Sequence, residues 1–160
     1  MILRIDTAQV VDYWPILQLT ATEALPPYVV ADENVINNIM SALLRGQMQG
    51  WVVVEREEGR PVRLIAAVIT EICVDEIAGA RNLMVYALYG AAPEGVSLKH
   101  WFDIKNSLAK YAACNGCKKL VAYSNSDAAI KVVKKMGGQV EYRFLSLDLE
   151  REEEKQHDEG

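Results

Sequence analysis

Apolar residues recur with two different periods along the chain, and each switch of period marks an element. Ile2 to Ile5 reads as a short strand. Asp6 or Thr7 is placed to cap a following helix. In that helix Val10, Trp14, Leu17, Ala21 and Ala24 return at helical spacing, and Pro26-Pro27 stops it. Asp32 is an N-cap for a second helix, whose stripe is Ile36, Ile39, Met40, Leu43 and Leu44. Gly46 and Gly50 are read as its end.

The period then shortens. Trp51-Val52-Val53-Val54-Glu55-Arg56 is rich in β-formers. Glu58-Gly59-Arg60 reads as a hairpin turn. Val62 to Val74 returns as a long strand, with Leu64, Ala66, Val68, Thr70 and Ile72 expected on one face. Asp75 to Arg81 reads as a loop. In the next strand, Leu83 to Tyr89, strict alternation sends Leu83, Val85, Ala87 and Tyr89 one way and Met84, Tyr86 and Leu88 the other. Both faces are apolar, so this strand is expected to be central and covered on both sides.

Helical spacing resumes after a small-residue loop, Gly90 to Val96. Ser97 caps a helix to about Cys114, with Trp101, Ile104, Leu108, Tyr111 and Ala112 as its buried stripe. Leu120 to Ser124 is a short strand. Asp127 caps another helix, with Ile130, Val133 and Met136 inward, ended by Gly137-Gly138. Val140 to Leu149 is the last strand. The order is β-α-α-β-β-β-α-β-α-β. Antiparallel strands followed by a strand-helix-strand crossover imply an α/β (α+β) fold with a central mixed sheet and helices on both faces.

Composition narrows the setting. With 160 residues, 51% of them apolar, the chain has enough material for one core, taken as one domain over residues 1–149. No apolar run approaches the roughly 20 residues that span a bilayer, and the N-terminus lacks the pattern of a secretory signal. A cytoplasmic protein with no membrane partner is expected. Of the net charge of −5, −4 lies in residues 150–160. That tail reads as a solvated, flexible end, or as a docking peptide for a basic partner. No basic stripe marks a nucleic-acid partner.

Three cysteines, Cys73, Cys114 and Cys117, do not make a disulfide framework. The Cys114-x-x-Cys117 pair lacks companions for zinc beyond Cys73, His100 and His157. A redox pair belongs at a helix N-terminus, whereas this one falls where a helix ends, with Gly116 at the cap. No metal is expected.

From Ile2 to Leu149 the element order resembles the GNAT N-acetyltransferase fold. The stretch Asn125 to Gly138 is similar to that family's late signature, matching at Asn125, Ala128 or Ala129, Lys135, Met136 and Gly137. The resemblance implies acyl transfer from acetyl-CoA to an amine. It also implies a splay between the central strand and the next, where the pantetheine arm would lie. A pyrophosphate seeks unpaired N–H groups at a glycine-rich turn and helix N-terminus. An acyl carbonyl seeks a strand N–H, and the amine and thiol need a base and an acid. Mapped onto this chain, Leu88, Tyr89, Gly95, Val96, Ser97 and Asn125 would bind the cofactor. Glu71 would be the base and Tyr123 the acid.

The chain departs from the family pattern at several places. The phosphate loop has Ala92 where the family has Arg or Gln, and Glu94 adds negative charge beside it. The late-helix aromatic is Val133, the usual Phe is Gly138, and the final hairpin is reduced to one strand. Ordinary structural roles also exist for Glu71 (an exposed strand-end carboxylate), Tyr123 (a packed tyrosine) and His100 (a helix-face residue). Three functions are therefore open. One is a divergent N-acetyltransferase acting on an unknown small-molecule or protein amine. Another is a degenerate structural or interaction protein, as among phage virion components, with protein partners in an assembly; Cys117-Lys118-Lys119-Leu120 and the Lys131 to Gly137 helix end are similar to such phage sequences. The third is a CoA sensor without turnover.

Overall fold

A computed structural model of the chain describes residues 1–141 and 145–147. Its strands are β1 (Ile2–Ile5), β2 (Met48–Glu55), β3 (Arg63–Asp75), β4 (Ala80–Gly90) and β5 (Lys119–Ala122). Its α-helices are α1 (Val10–Glu23), α2 (Glu33–Leu44), α3 (Leu98–Cys114) and α4 (Asp127–Lys135), and a 3-10 turn (Thr7–Gln9) leads into α1. The strands lie in the sheet in chain order. Neighbours are antiparallel from β1 to β4, and β5 runs parallel to β4 after the α3 crossover, as a parallel neighbour requires.

The helices form where caps and stripes direct them. Asp32 Oδ1 accepts the Val35 N–H at 2.8 Å and starts α2, whose Ile36, Ile39 and Leu43 are buried. Met40 is only half-buried and Leu44 is exposed, so the inward stripe is narrower than the sequence pattern. In α1, Val10, Leu17 and Ala21 are buried. Fully burying a side chain such as Leu17 or Leu43 contributes roughly 1.5–3 kcal/mol. Gly50 does not end α2; it lies inside β2. A Cβ there would come within 3.1 Å of Leu17 Cδ2, so this glycine lets α1 sit close on the sheet.

Two apolar clusters flank the sheet. α1 and α2 cover one face with Ile5, Val52, Ala67, Ile69 and Ala87. On the other face α3 brings Ile104, Leu108 and Ala112 against Trp51, Val53, Val68 and Leu83. On the α3 face Trp51 Nε1–H donates to the buried Thr70 Oγ1 at 2.9 Å, satisfying both polar groups.

Strict alternation fails at two β-bulges. Ile65 is an extra residue on β3, because Val53 pairs with Ala66 and Val54 with Leu64. Leu64 therefore turns to the α1/α2 face while Ile65 and Ala66 share the α3 face. Tyr86 is the extra residue on β4, because Ile69 pairs with Ala87 and Thr70 with Val85. Leu83 and Val85 face α3, Tyr86 and Ala87 both face α1/α2, and Leu88 returns to the α3 side. A bulge adds one residue without advancing the partner and so flips everything after it.

Other boundaries moved less. The predicted loop over Asp75 to Arg81 shrinks to a turn over residues 76–79. β5 stops at Ala122, leaving Tyr123 and Ser124 just past its end. Ser126, not Asp127, caps α4, with Oγ accepting the Ala129 N–H at 3.3 Å. Val133 is exposed rather than inward. A Cβ on Gly138 would come within 2.4 Å of Val133 Cγ1 and 3.0 Å of the Val133 carbonyl oxygen. That contact excludes a larger residue such as Phe from this position while the helix end keeps its form. Of the expected strand Val140 to Leu149, residues 142–144 and 148–149 lie outside the described residues, as does the tail. Val140, Glu141 and residues 145–147 form no strand.

Candidate active site at the β4–β5 splay

The β4–β5 ladder is short. It pairs Asn82 with Lys119, Leu83 with Leu120, Met84 with Val121 and Val85 with Ala122, and then stops. β4 continues to Gly90. The Tyr86 bulge follows directly after the last pair, and a bulge bends and over-twists its strand. The stretch of β4 from Tyr86 to Gly90, beyond the ladder, spans roughly 14 Å.

At the inner end of this stretch, on the α1/α2 face, is Glu71. It stands opposite Met48 of β2 and Met84 of β4. Its carboxylate is half-buried, and among the described residues it has no hydrogen bond and no ion pair. Burial alone pushes its pKa up, with no opposing cation. Tyr86 and Tyr28 lie near it, and Tyr123 packs on Tyr28. Tyr86 packs on the α1/α2 cluster, and its hydroxyl is pushed up by burial and then by Glu71. Tyr28, from the α1–α2 connector, meets the ring of Tyr123 edge-on with centroids 5.4 Å apart. The Tyr28 hydroxyl is pushed up by burial first, then by Tyr123, Tyr86, Cys73 and Glu71. Cys73, two residues from Glu71 on the same strand face, is pushed up by burial, then by Glu71 and Cys117. The carboxylate and Tyr123, which the sequence nominated, thus share Tyr28 as a neighbour.

At the outer end is the loop before α3. The Ile65 bulge anchors it: the Ala91 and Ala92 N–H groups donate to the Ile65 carbonyl at 2.8 and 3.2 Å. Gly95 N–H donates to the Ala92 carbonyl at 2.9 Å. Gly95 has φ +82°, with nothing within 4 Å of a built Cβ, so this turn is open on its outer side and suits glycine. Ser97 Oγ accepts the His100 N–H at 3.3 Å and lies 2.8 Å from His100 Nδ1. His100 is buried against the cap rather than lying on the surface.

Glu94 is not the bare charge that the sequence implied. Arg63, at the start of β3, forms ion pairs with Glu94 and, at 2.5 Å, with Glu55. The Arg63 hydrogen bond holds the Glu55 carboxyl below its usual range. Glu94 is lowered first by its own backbone N–H and then by Arg63. His100 Nε2 lies 3.6 Å from Glu55 Oε1. The cluster draws the Glu94 carboxylate toward the β2–β3 hairpin.

Between the two ends, Leu88 pairs with Val68 and Tyr89 with Ala67, and both are half-buried. Asn125 is exposed beyond β5. From sequence, Pro26-Pro27-Tyr28 reads as a helix-helix connector or as a lining of an acceptor pocket, Cys73 enters only as a possible zinc companion, and Arg63 is not used. The one available signal for Tyr28 was an aromatic next to a rigid Pro-Pro pair. Two surface hollows, of about 450 and 310 Å³, lie at the β2–β3 turn and beside Met1 and Asp103, away from Glu71. Cys114 and Cys117 are free thiols at the end of α3. There Gly116, at φ +71°, lets the Cys117 N–H reach the Ala112 carbonyl at 2.9 Å, a helix stop that accounts for the motif. Among the described residues no three His, Cys, Asp or Glu side chains form a metal-holding group, and no helix is long and apolar enough to cross a membrane.

The sequence matches no protein-family model and no curated protein. Solved structures match over nearly the whole chain. A probable acetyltransferase superposes with TM-score 0.68 at 13% identity, covering 95% of this chain and 99% of its own. A predicted acetyltransferase from Clostridium acetobutylicum, solved with acetyl-CoA, gives TM-score 0.64 at 16% identity over 92% and 95%. The aminoglycoside N-acetyltransferase AAC(6')-Iy, bound to a CoA-containing bisubstrate analogue, gives TM-score 0.65 at 11% identity over 94% and 98%. With its five-stranded mixed sheet, bulged central strand and truncated β4–β5 ladder, the chain has the fold of the GNAT N-acetyltransferases.

Proposed function

We propose that this protein transfers an acetyl group from acetyl-CoA to a primary amine, with Glu71 as general base. The observation that carries this reading is the half-buried Glu71 carboxylate, without a partner among the described residues, beside the point where β4 and β5 part. Burying a carboxylate with no partner costs stability, and such a cost concentrates at functional sites.

The donor site has the parts that acetyl-CoA would need. Open backbone at Gly95–Ser97 and the N-terminus of α3 would take the phosphates. Arg63 keeps the Glu94 charge engaged. Leu88 and Tyr89 line the 14 Å run, roughly, between that loop and Glu71. Solved structures with this fold hold acetyl-CoA and a CoA-containing analogue, which supports the same arm placement here. Asn125 stands beyond β5 on the far side of the splay.

Acetyl-CoA supplies an activated acetyl group, whose C–S bond breaks as the amine nitrogen bonds to the carbonyl carbon. Glu71 accepts the proton that the ammonium must lose, and its raised pKa brings it closer to neutral pH, where a base is most effective. The Tyr123 hydroxyl, past the end of β5, donates a proton to the departing sulfur.

Calorimetric titration with acetyl-CoA and with ATP, followed by a thiol-release assay over a panel of amines, tests the proposal. Binding of acetyl-CoA but not ATP, with amine-dependent release of CoA that Glu71→Gln abolishes, is the expected result. Binding without release for any amine would mean a sensor. No binding at millimolar acetyl-CoA would mean a fold kept for contacts.

A further inference from the structure

We propose that His100 is a positioning residue of the donor site: its protonation reverses the hydrogen bond it shares with Ser97 and turns the Ser97 hydroxyl proton out toward a donor phosphate, so that donor binding takes up a proton. This inference deepens the acyltransfer reading and rests on it for the identity of the donor, but proton uptake is measured without any acetyl transfer.

The argument starts from burial. The His100 side chain is only 10% exposed, and a buried polar ring keeps polar neighbours. It has one on each side. Nδ1 lies 2.8 Å from Ser97 Oγ, and Nε2 lies 3.6 Å from Glu55 Oε1. The His100 backbone N–H also donates to Ser97 Oγ, at 3.3 Å, which holds the hydroxyl oxygen against the ring. Ser97 itself is exposed. The pair therefore couples a buried titratable ring to a hydroxyl on the surface of the loop before α3.

The two protonation states present different faces of that hydroxyl. In the neutral ring the Glu55 carboxylate favours the proton on Nε2, leaving Nδ1 bare. Bare Nδ1 can only accept, so the Ser97 O–H donates inward to it and the oxygen lone pairs face outward. In the imidazolium both ring nitrogens are donors. Nδ1–H then donates to Ser97 Oγ, and the serine proton is released to point away from the ring. An anion outside meets lone pairs in the first state and a donor in the second.

The charges around the ring favour the second state when an anion arrives. Glu55, at the end of β2, is lowered first by the Arg63 hydrogen bond, and His100 and Lys99 also act on it. Glu94, on the loop, is lowered first by its own backbone N–H, then by Arg63, with His100 contributing. The Met1 ammonium is held nearby on the Val54 carbonyl at 2.9 Å, and Asp103 follows three residues on along α3. Among the described residues, Arg63 and His100 are the groups in ion-pair reach of these two carboxylates. One guanidinium is thus shared between two carboxylates. A phosphate at Gly95–Ser97 adds negative charge, and a charged His100 offsets it.

Calorimetric titration of the full-length protein with CoA and with inorganic pyrophosphate, in buffers of different ionisation enthalpy between about pH 6 and 8, counts the protons taken up on binding. The ligand's own phosphate titration is common to every variant and cancels in the comparison. Wild type is expected to take up more protons than His100→Gln or Ser97→Asn, the second of which keeps a helix cap but has no hydroxyl. Its affinity should tighten from pH 8 to pH 6 by about ten-fold more than theirs. Ser97→Thr, which keeps the hydroxyl, should behave as wild type. Melting curves establish that each variant is folded. Equal uptake in wild type and Ser97→Asn, no extra tightening in acid, or no binding of either ligand would overturn the inference. CoA bound without extra uptake defeats this inference alone. Pyrophosphate bound with extra uptake, and CoA not bound, defeats the acyltransfer reading and leaves the His100–Ser97 linkage standing.

Discussion

Tyr28 and Tyr123 are 95 positions apart in sequence, yet their rings meet edge-on at 5.4 Å. The connector that carries Tyr28 is stiffened by Pro26-Pro27 and closed by a Val29 N–H to Pro26 carbonyl bond of 3.0 Å. Tyr123 stands just where β5 ceases to pair with β4. The contact therefore links the α1–α2 connector to the rim of the splay, so that rim is bounded by a segment that contributes nothing to the sheet.

Truncating that boundary should separate the two substrates. On the proposed acyltransfer reading, Tyr28→Ala is expected to raise KM for the amine by about ten-fold while leaving KM for acetyl-CoA unchanged, because Tyr28 lies near Glu71 and not at the loop before α3. Steady-state kinetics with each substrate varied in turn checks this, and an equal rise in both KM values would contradict it.

Glu71→Gln should cost activity and gain stability. Loss of the base is expected to lower kcat by about 10²–10⁴-fold. The folded-state pKa of Glu71 is raised by burial, so the folded protein holds this proton more tightly than the unfolded chain does. Its penalty is absent below the unfolded pKa and grows as pH rises through the folded one. The glutamine variant should therefore melt higher at pH 7 and match wild type in acid. The wild-type rate should rise with pH along a limb above the usual carboxylate range, and that limb should vanish in the variant.

The Arg63 cluster is predicted to act on the donor. Arg63→Ala releases Glu94 beside the phosphate loop and should raise KM for acetyl-CoA by roughly five-fold at low salt, less at high salt. Stability should change little, because exposed ion pairs contribute little. The Glu55 and Glu94 pKa values are depressed, so their small stabilisation is present above the unfolded carboxylate pKa and is lost as pH falls through the folded values. Adding Glu94→Gln to Arg63→Ala should restore the KM. A double variant no better than the single one would exclude this route.

In the core, Leu17→Ala should destabilise by about 2–5 kcal/mol, as large-to-small changes at fully buried sites do. Gly50→Ala presses a Cβ against both Leu17 methyls and should cost about 1–3 kcal/mol. Together the two changes should cost less than their sum, since the cavity of one receives the methyl of the other. Chemical denaturation of the four proteins measures the coupling.

Much of the fold is legible in local pattern. Asp32 and Ser97 cap the helices assigned to them, and the hairpin and the crossover follow from period and punctuation. The register was not legible. Ile65 and Tyr86 look like ordinary members of alternating runs, yet each is an extra residue. Nothing within a strand's own sequence says how many residues its neighbour advances opposite it. Gly50 was misassigned for a similar reason: a glycine after a helix reads as a stop, and its actual role depends on the approach of Leu17.

The sequence by itself determined the element order and the mixed sheet, because helix caps, periodicity and β-propensity act over a few neighbouring residues; Glu71 and Tyr123 were nominated through the family resemblance of that order. Only the tertiary structure decided that Glu71 is half-buried with no counter-ion among the described residues, that Tyr28 lies near it and meets Tyr123, and that Arg63 engages Glu94. Desolvation and charge pairing depend on atoms brought from distant segments, and these meet only once the sheet has closed and its bulges have set the register.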